Sequence, residues 1–214
     1  MSTGSVTNAT LYYVHDPMCS WCWGFKASFE LLESGLAADI KIERILGGLA
    51  PDSDEPMPKS TQEMVRHNWE RIQTVIPGTE FNYDFWTKNT PQRSTWPSCR
   101  AVIAARRQQP EFERPMIKAI QEAYYLNARN PSDHNVLTEI AGQVGCDTAQ
   151  FSQDLNSDSV KQELMKDFTL SQSMGIQGFP SLVLKSASGQ LRGIRVDYNN
   201  PAAMLAHIKE ANVA

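Results

Sequence analysis

Two cysteines three residues apart, Cys19 and Cys22, stand at the seam between a short apolar run and an amphipathic one, and that placement restricts the possible folds most. Upstream, Leu11-Tyr12-Tyr13-Val14 reads as a buried strand, and downstream Phe25, Phe29, Leu32 and Leu36 recur at helical spacing. Cys19 therefore falls at or near a helix N-terminus, where free backbone N–H groups and the positive end of the dipole favour a thiolate over a thiol. Two cysteines on a first helical turn can also close a disulfide of small ring. An exposed thiol to attack and a second to resolve are what thiol–disulfide exchange requires. Cys-x-x-Cys alone is a weak signal, and its position at a strand-to-helix junction strengthens it. The competing readings are half of a zinc site and two inert core cysteines. Zinc needs two more ligands, and Cys99, Cys146 and four scattered histidines offer no second paired spacing. His15 is the only nearby candidate, and no metal site is expected.

A chain of 214 residues can bury one sizeable core, or a core interrupted by a large insertion. The formal net charge of −4 argues against nucleic acid or an anionic membrane as partner. No apolar run approaches the ~20 residues of a membrane span. Met1 to Ala9 carry neither the basic nor the apolar region of a secretory signal and read as a flexible lead-in. The expected location is the cytoplasm, where thiols are kept reduced. Four cysteines there suggest one working pair and two bystanders.

Asp39 to Leu46 alternates apolar and polar residues as a half-buried strand does, and Gly47-Gly48-Leu49-Ala50-Pro51 ends it. A loop carries Pro56 and Pro58. Helical patterns follow at Thr61–Val75, Phe81–Lys88, Pro97–Gln109, Arg114–Leu126, His134–Val144 and Ser157–Met174. Gly145 marks a helix end, and Asp147 reads as an N-cap with Gln150 at the capping-box position. Strands return at Ser181–Lys185 and Gln190–Val196 around a Ser186–Gly189 hairpin turn, and a closing helix starts near Pro201. The layout is a βαβ unit (residues 10–59) and a ββα unit (175–212) separated by an all-helical insertion of about 110 residues (60–174).

The Gly178-Phe179-Pro180-Ser181 turn precedes the third strand, where a proline merely forgoes a hydrogen bond. Taken with Asp16-Pro17-Met18-Cys19-Ser20-Trp21-Cys22-Trp23-Gly24-Phe25 and the helical block, it makes the chain resemble the DsbA-like branch of the thioredoxin superfamily. The resemblance runs from about Leu11 to Asn212 and is strongest to the FrnE-like group, often described as predicted protein-disulfide isomerases. It implies an α/β thioredoxin fold, a central mixed β-sheet flanked by helices, with a large all-helical insertion. It also implies that Cys19 attacks, Cys22 resolves and Pro180 is a cis-proline near the Cys19 sulfur, with the Phe179 backbone pairing with an extended substrate. Three departures from the periplasmic oxidases of this branch stand out. No signal peptide is seen, Ser20-Trp21 supplies no cation between the cysteines, and Tyr13 stands where an acidic residue often lies. The direction of catalysis is therefore open.

His15 and Asp16 could relay the proton that Cys22 must lose, or Asp16 could simply cap the turn. Trp21 and Trp23 could rim a substrate site, although Trp23 reads better as core. Arg93-Ser94-Thr95-Trp96-Pro97 could roof the site, with Thr95 as a helix cap. Met18, Phe179 and Trp96 would then form an apolar, sequence-tolerant groove. Cys99 and Cys146 read as inert, and Arg106-Arg107 as a solvated helical face. The leading expectation is a cytosolic thiol–disulfide oxidoreductase or isomerase acting on protein or peptide thiols and disulfides. It needs no cofactor beyond its redox-active disulfide, with glutathione as a candidate co-substrate. A kappa-class-like glutathione-dependent isomerase or transferase is the alternative, and Cys22, which such an enzyme does not require, counts against it. A non-catalytic peptide-binding or chaperone-like module is the third.

Overall fold

The apolar run at Leu11–Val14 is the middle of a seven-residue strand, β1 (Ala9–His15), paired on both edges, with Leu11, Tyr13 and Val14 buried. The computed structural model describes residues 9–213, so the expected lead-in falls outside it except for Ala9, which opens β1. β1 pairs in parallel with β2 (Ile40–Leu46) and antiparallel with β3 (Ser181–Lys185); β4 (Leu191–Ile194) continues the sheet in the order β2-β1-β3-β4. A parallel pair needs a crossover, and α1 (Ser20–Gly35) supplies it. The apolar stripe of α1 packs with α9 (Pro201–Val213) on the sheet, so that Leu11, Tyr13, Phe25, Phe29, Leu184 and Ile208 share one core.

Seven α-helices run between β2 and β3 among the described residues: α2 (Lys59–Val75), α3 (Phe85–Lys88), α4 (Trp96–Gln108), α5 (Glu113–Tyr125), α6 (His134–Val144), α7 (Thr148–Leu155) and α8 (Asp158–Ser173). α4 is their axis: Cys99 and every residue from Ala101 to Ala105 are buried, and small side chains let α5, α7 and α8 approach closely. This second core also takes in Met18 and Leu46, so the segments flanking the cysteine helix reach into the helical block.

Several local expectations are corrected. The pattern at Phe81–Lys88 yields only the four-residue α3, because Asn82 turns the chain: its Oδ1 accepts from the Asp84 N–H and its amide donates to the Leu126 carbonyl. Asp147 does cap α7, accepting from the N–H groups of Ala149 and Gln150, but the capping box is not formed. The Gln150 side chain bonds Asp154 instead, and Gln108 accepts from the Asp147 N–H. β4 stops at Ile194 rather than Val196. Arg107 is exposed as expected, but Arg106 is not a solvated side chain; both join α4 to α8 through Glu163, and Arg106 also meets Glu113 and Asp167.

Candidate active site

Cys19 is the N-cap of α1, in extended conformation, and its own N–H donates to the Asp16 carbonyl at 3.0 Å. Its thiol donates to the Phe179 carbonyl at 3.5 Å, which joins the start of α1 to the turn before β3. The Phe179–Pro180 peptide bond is cis. Cys19 is only 6% exposed, so its thiol is not on the open surface, contrary to the expectation of an exposed thiol. It lies on the wall of a groove of about 200 Å³ shared with Met18, Trp21, Met57, Met64 and Phe179. Cys22 lies one helical turn on and is fully buried. Burial pushes its thiol well up from the ordinary range, its hydrogen bond to Cys19 adds to the shift, and the backbone N–H of Asp16 works against it. Both are free thiols in this structure.

Asp16 is completely buried and holds the front of the site together. Its carboxylate accepts from the Met18 N–H at 2.8 Å, the Leu49 N–H at 2.6 Å, the Thr95 hydroxyl at 2.6 Å and the Cys99 thiol at 3.6 Å. Burial raises its pKa, and those four donors oppose the rise. The turn cap expected of Asp16 is present in the Met18 bond, and three donors from distant segments join it. Two readings are corrected here. Thr95 makes no side-chain cap at α4; its hydroxyl is spent on Asp16 and on the Ala50 N–H. Cys99 is buried but is a hydrogen-bonding partner of Asp16 rather than an inert filler. Cys146, also buried, has its thiol pushed up by burial alone.

The structure brings Met18, Trp21 and Phe179 to the groove and sends Trp96 elsewhere. Trp96 donates to the Gly48 carbonyl at 3.2 Å and packs on Phe168 at 5.2 Å between ring centres, so it does not line the groove. Pro180 is buried and lines a separate hollow beside Ile176 and Val183. Trp21 packs on Tyr198 and lies beneath Arg71. Trp23 stacks on Tyr125 at the edge of the helical core. A Cβ on Gly47 would collide with the Phe179 ring, so a larger residue there would displace that ring from the site.

Behind Cys22 lie two residues of β1. Tyr13, buried, lines one cavity with Cys22, and burial followed by the two cysteines pushes its pKa well up. Its ring stacks on His15 with centroids 4.8 Å apart. Burial, then Arg44 and Arg106, lowers the His15 pKa to about 3, so the imidazole is neutral. The placement of Tyr13 beside Cys22 was not anticipated; the alternation of a strand placing residues 11, 13 and 15 on one face was the available signal.

A family model described as thioredoxin matches residues 12–207. The chain belongs to the thioredoxin family, and its fold is that of DsbA-like proteins. A candidate protein disulfide isomerase from Nitrosomonas europaea superposes with a TM-score of 0.81 at 26% identity, over 95% of this chain and 97% of that one. The cytosolic disulfide reductase DsbM from Pseudomonas aeruginosa shares the fold, with a TM-score of 0.77 at 22% identity over 96% and 100% of the two chains. A further DsbM structure is described as containing GSH. Among curated proteins, the ClpXP adapter protein SpxH of Halalkalibacterium halodurans is 25% identical over 94% of this chain and 66% of its own length. The Bacillus subtilis adapter is 23% identical over 87% and 61%. This chain spans less than two thirds of the length of either adapter. Among the described residues, no group of three metal-ligating side chains converges and no helix is long and apolar enough to cross a membrane.

Proposed function

We propose that the chain is a cytoplasmic thiol–disulfide oxidoreductase acting on protein or peptide disulfides, with Cys19 attacking and Cys22 resolving. The observation that carries this reading is the division between the two thiols: Cys19 borders an open groove, and Cys22, buried one turn behind it, does not line that groove. The Cys19 thiolate attacks a substrate disulfide, forming a mixed disulfide and releasing one substrate thiol. Cys22 then attacks Cys19, which closes the Cys19–Cys22 disulfide and frees the second substrate thiol. A small thiol such as glutathione returns the pair to the dithiol state. Arg93 in the groove offers a cation for its carboxylates, and the GSH complex of DsbM supports the pairing. In isomerisation the same Cys22 step releases a trapped substrate. The three methionines of the groove suit varied peptide sequences, because thioether side chains adapt their shape.

A second reading, a peptide-binding adapter that uses the groove without turnover, is favoured by the SpxH relatives. Glutathione-driven reduction of a fluorescent peptide disulfide separates the two. The oxidoreductase reading expects turnover that Cys19→Ser abolishes and Cys22→Ser reduces at least tenfold. Absent turnover, with peptide binding that survives loss of both cysteines, would establish the adapter reading instead.

A further inference from the structure

Cys22 must lose a proton before it can attack Cys19, and at that moment a substrate linked to Cys19 fills the groove in front. A second cavity lies behind Cys22. It measures about 70 Å³, and Cys22, Tyr13 and His15 form its inner wall. A single water needs roughly 10–15 Å³ by the same measure, so there is room for several. The cavity follows α1 outward along Lys26, Glu30 and Glu33, the stripe that succeeds Cys22 at helical spacing. Its outer wall includes Glu30, Arg114 and Lys118, whose side chains are 54%, 62% and 60% exposed, so it reaches solvent.

His15 supplies an independent observation. It is 1% exposed, and among the described residues neither ring nitrogen has a hydrogen-bond partner. A buried imidazole left unpaired is costly, and water in the cavity it lines would satisfy it. The ring also stacks on Tyr13, which lines the same cavity as Cys22.

We propose that Tyr13, His15 and the cavity behind them form the route by which the Cys22 proton leaves for solvent. This rests on the two-thiol reading above. During resolution the Cys22 proton passes to water in the cavity, held in place by the Tyr13 hydroxyl and the His15 ring nitrogens. The Cys22 sulfur bonds to the Cys19 sulfur, and the bond from Cys19 to the substrate sulfur breaks. The leaving sulfur keeps the electron pair and takes a proton from solvent in the groove. The substrate is reduced by the two electrons that the cysteine pair loses. One proton departs at the rear and one enters at the front. Tyr13 lines the cavity beside Cys22 and acts through its water as a positioning residue. His15 is a second positioning residue, orienting Tyr13 by stacking and the water by its nitrogens. The charges facing His15 are Arg44 from β2 and Arg106 from α4; Lys26 and Glu33 from α1, with Arg114 and Lys118 from α5, share the cavity.

A nitrobenzoate disulfide that releases a coloured thiolate at each step tests this on the whole reduced protein. The first release reports attack by Cys19 and the second reports resolution by Cys22. Tyr13→Phe keeps the ring and is expected to leave the first phase within about twofold while slowing the second about tenfold or more. It should also shift the second phase's pH profile and diminish its solvent isotope effect. His15→Phe, which preserves the stack, should slow the second phase by a smaller factor and serves if Tyr13→Phe does not fold. A second phase unchanged in both variants, or both phases slowed equally, would overturn the proposal. A parent protein with no second phase would remove the two-thiol reading itself, and this proposal with it.

Discussion

The hollow in front of the cysteine pair and the one behind it are built in opposite ways. The front groove, about 200 Å³, draws walls from the start of α1, from α2 and the segment before it, from the Gln92–Thr95 loop and from Phe179. Its lining is rich in methionine and includes the half-exposed Met64. The rear cavity, about 70 Å³, is framed by β1, α1, β2 and α5, with Tyr13 and His15 locked in an aromatic stack and Arg44, Glu33 and Arg114 tied together by ion pairs. Attack on varied substrates calls for a yielding surface, and passage of a proton calls for a fixed one. Asp16 stands between them: its side chain ties the front loops, and its carbonyl accepts from the Cys19 N–H at the start of α1.

The largest effect is expected where front and rear meet. Asp16→Ala would leave the buried Met18 N–H and the part-buried Leu49 N–H without their acceptor and the Thr95 hydroxyl with only the Ala50 carbonyl at 3.4 Å. Unpaired buried donors cost ~1–3 kcal/mol each, offset in part by relief of the buried charge, so a loss of about 3 kcal/mol is expected in chemical denaturation. A loss below about 1 kcal/mol would mean that the front loops hold their shape without Asp16.

The rear is expected to show itself in acid. The His15 pKa is lowered to about 3 in the fold against 6.5 in an open chain, so its contribution to stability is complete above pH 6.5 and declines as the pH falls toward 3. Asp167 acts in the opposite direction. Burial raises its pKa from 3.8 to about 6, so its contribution is complete below pH 3.8 and declines as the pH rises through 6. His15→Phe should therefore abolish much of the acid loss between pH 6.5 and 3 and uncover the Asp167 slope. Unfolding curves across that range check it, and an unchanged pH dependence would place His15 in contact with bulk water.

A smaller effect is expected at the groove. Met64→Ser should raise KM for peptide disulfides about two- to threefold and leave attack on the nitrobenzoate disulfide unchanged, since a half-exposed side chain contributes only a fraction of its full burial energy. Equal effects on both substrates would mean that Met64 supports the fold near Cys19 rather than the peptide.

What could be read in advance was mostly local. His134–Val144 and Ser181–Lys185 have the bounds that periodicity and turn residues indicate, because Gly145 and the Ser186–Gly189 turn end them within the same stretch of chain. The two thiols were placed by the junction of strand and helix. The partners of Asp16 were not legible, since Leu49, Thr95 and Cys99 lie 33, 79 and 83 residues away and polar pairing carries no period. Arg100 was missed for the same reason: it is buried at the middle of the helical block and meets Asp52 and Asn156 across separate loops. Trp96 was assigned to the groove by its position beside Arg93–Thr95, and helical geometry turned its ring onto Phe168 instead.

The division of labour between front and rear rests on Cys19 alone meeting substrate. Incubating Cys22→Ala with a peptide disulfide and mapping the adduct by mass spectrometry tests this directly. Close to one peptide per chain is expected, bonded to Cys19, stable until an added thiol releases it, and absent in Cys19→Ala. Adducts spread over Cys99 and Cys146, or a Cys19→Ala variant trapped as fully as Cys22→Ala, would contradict it.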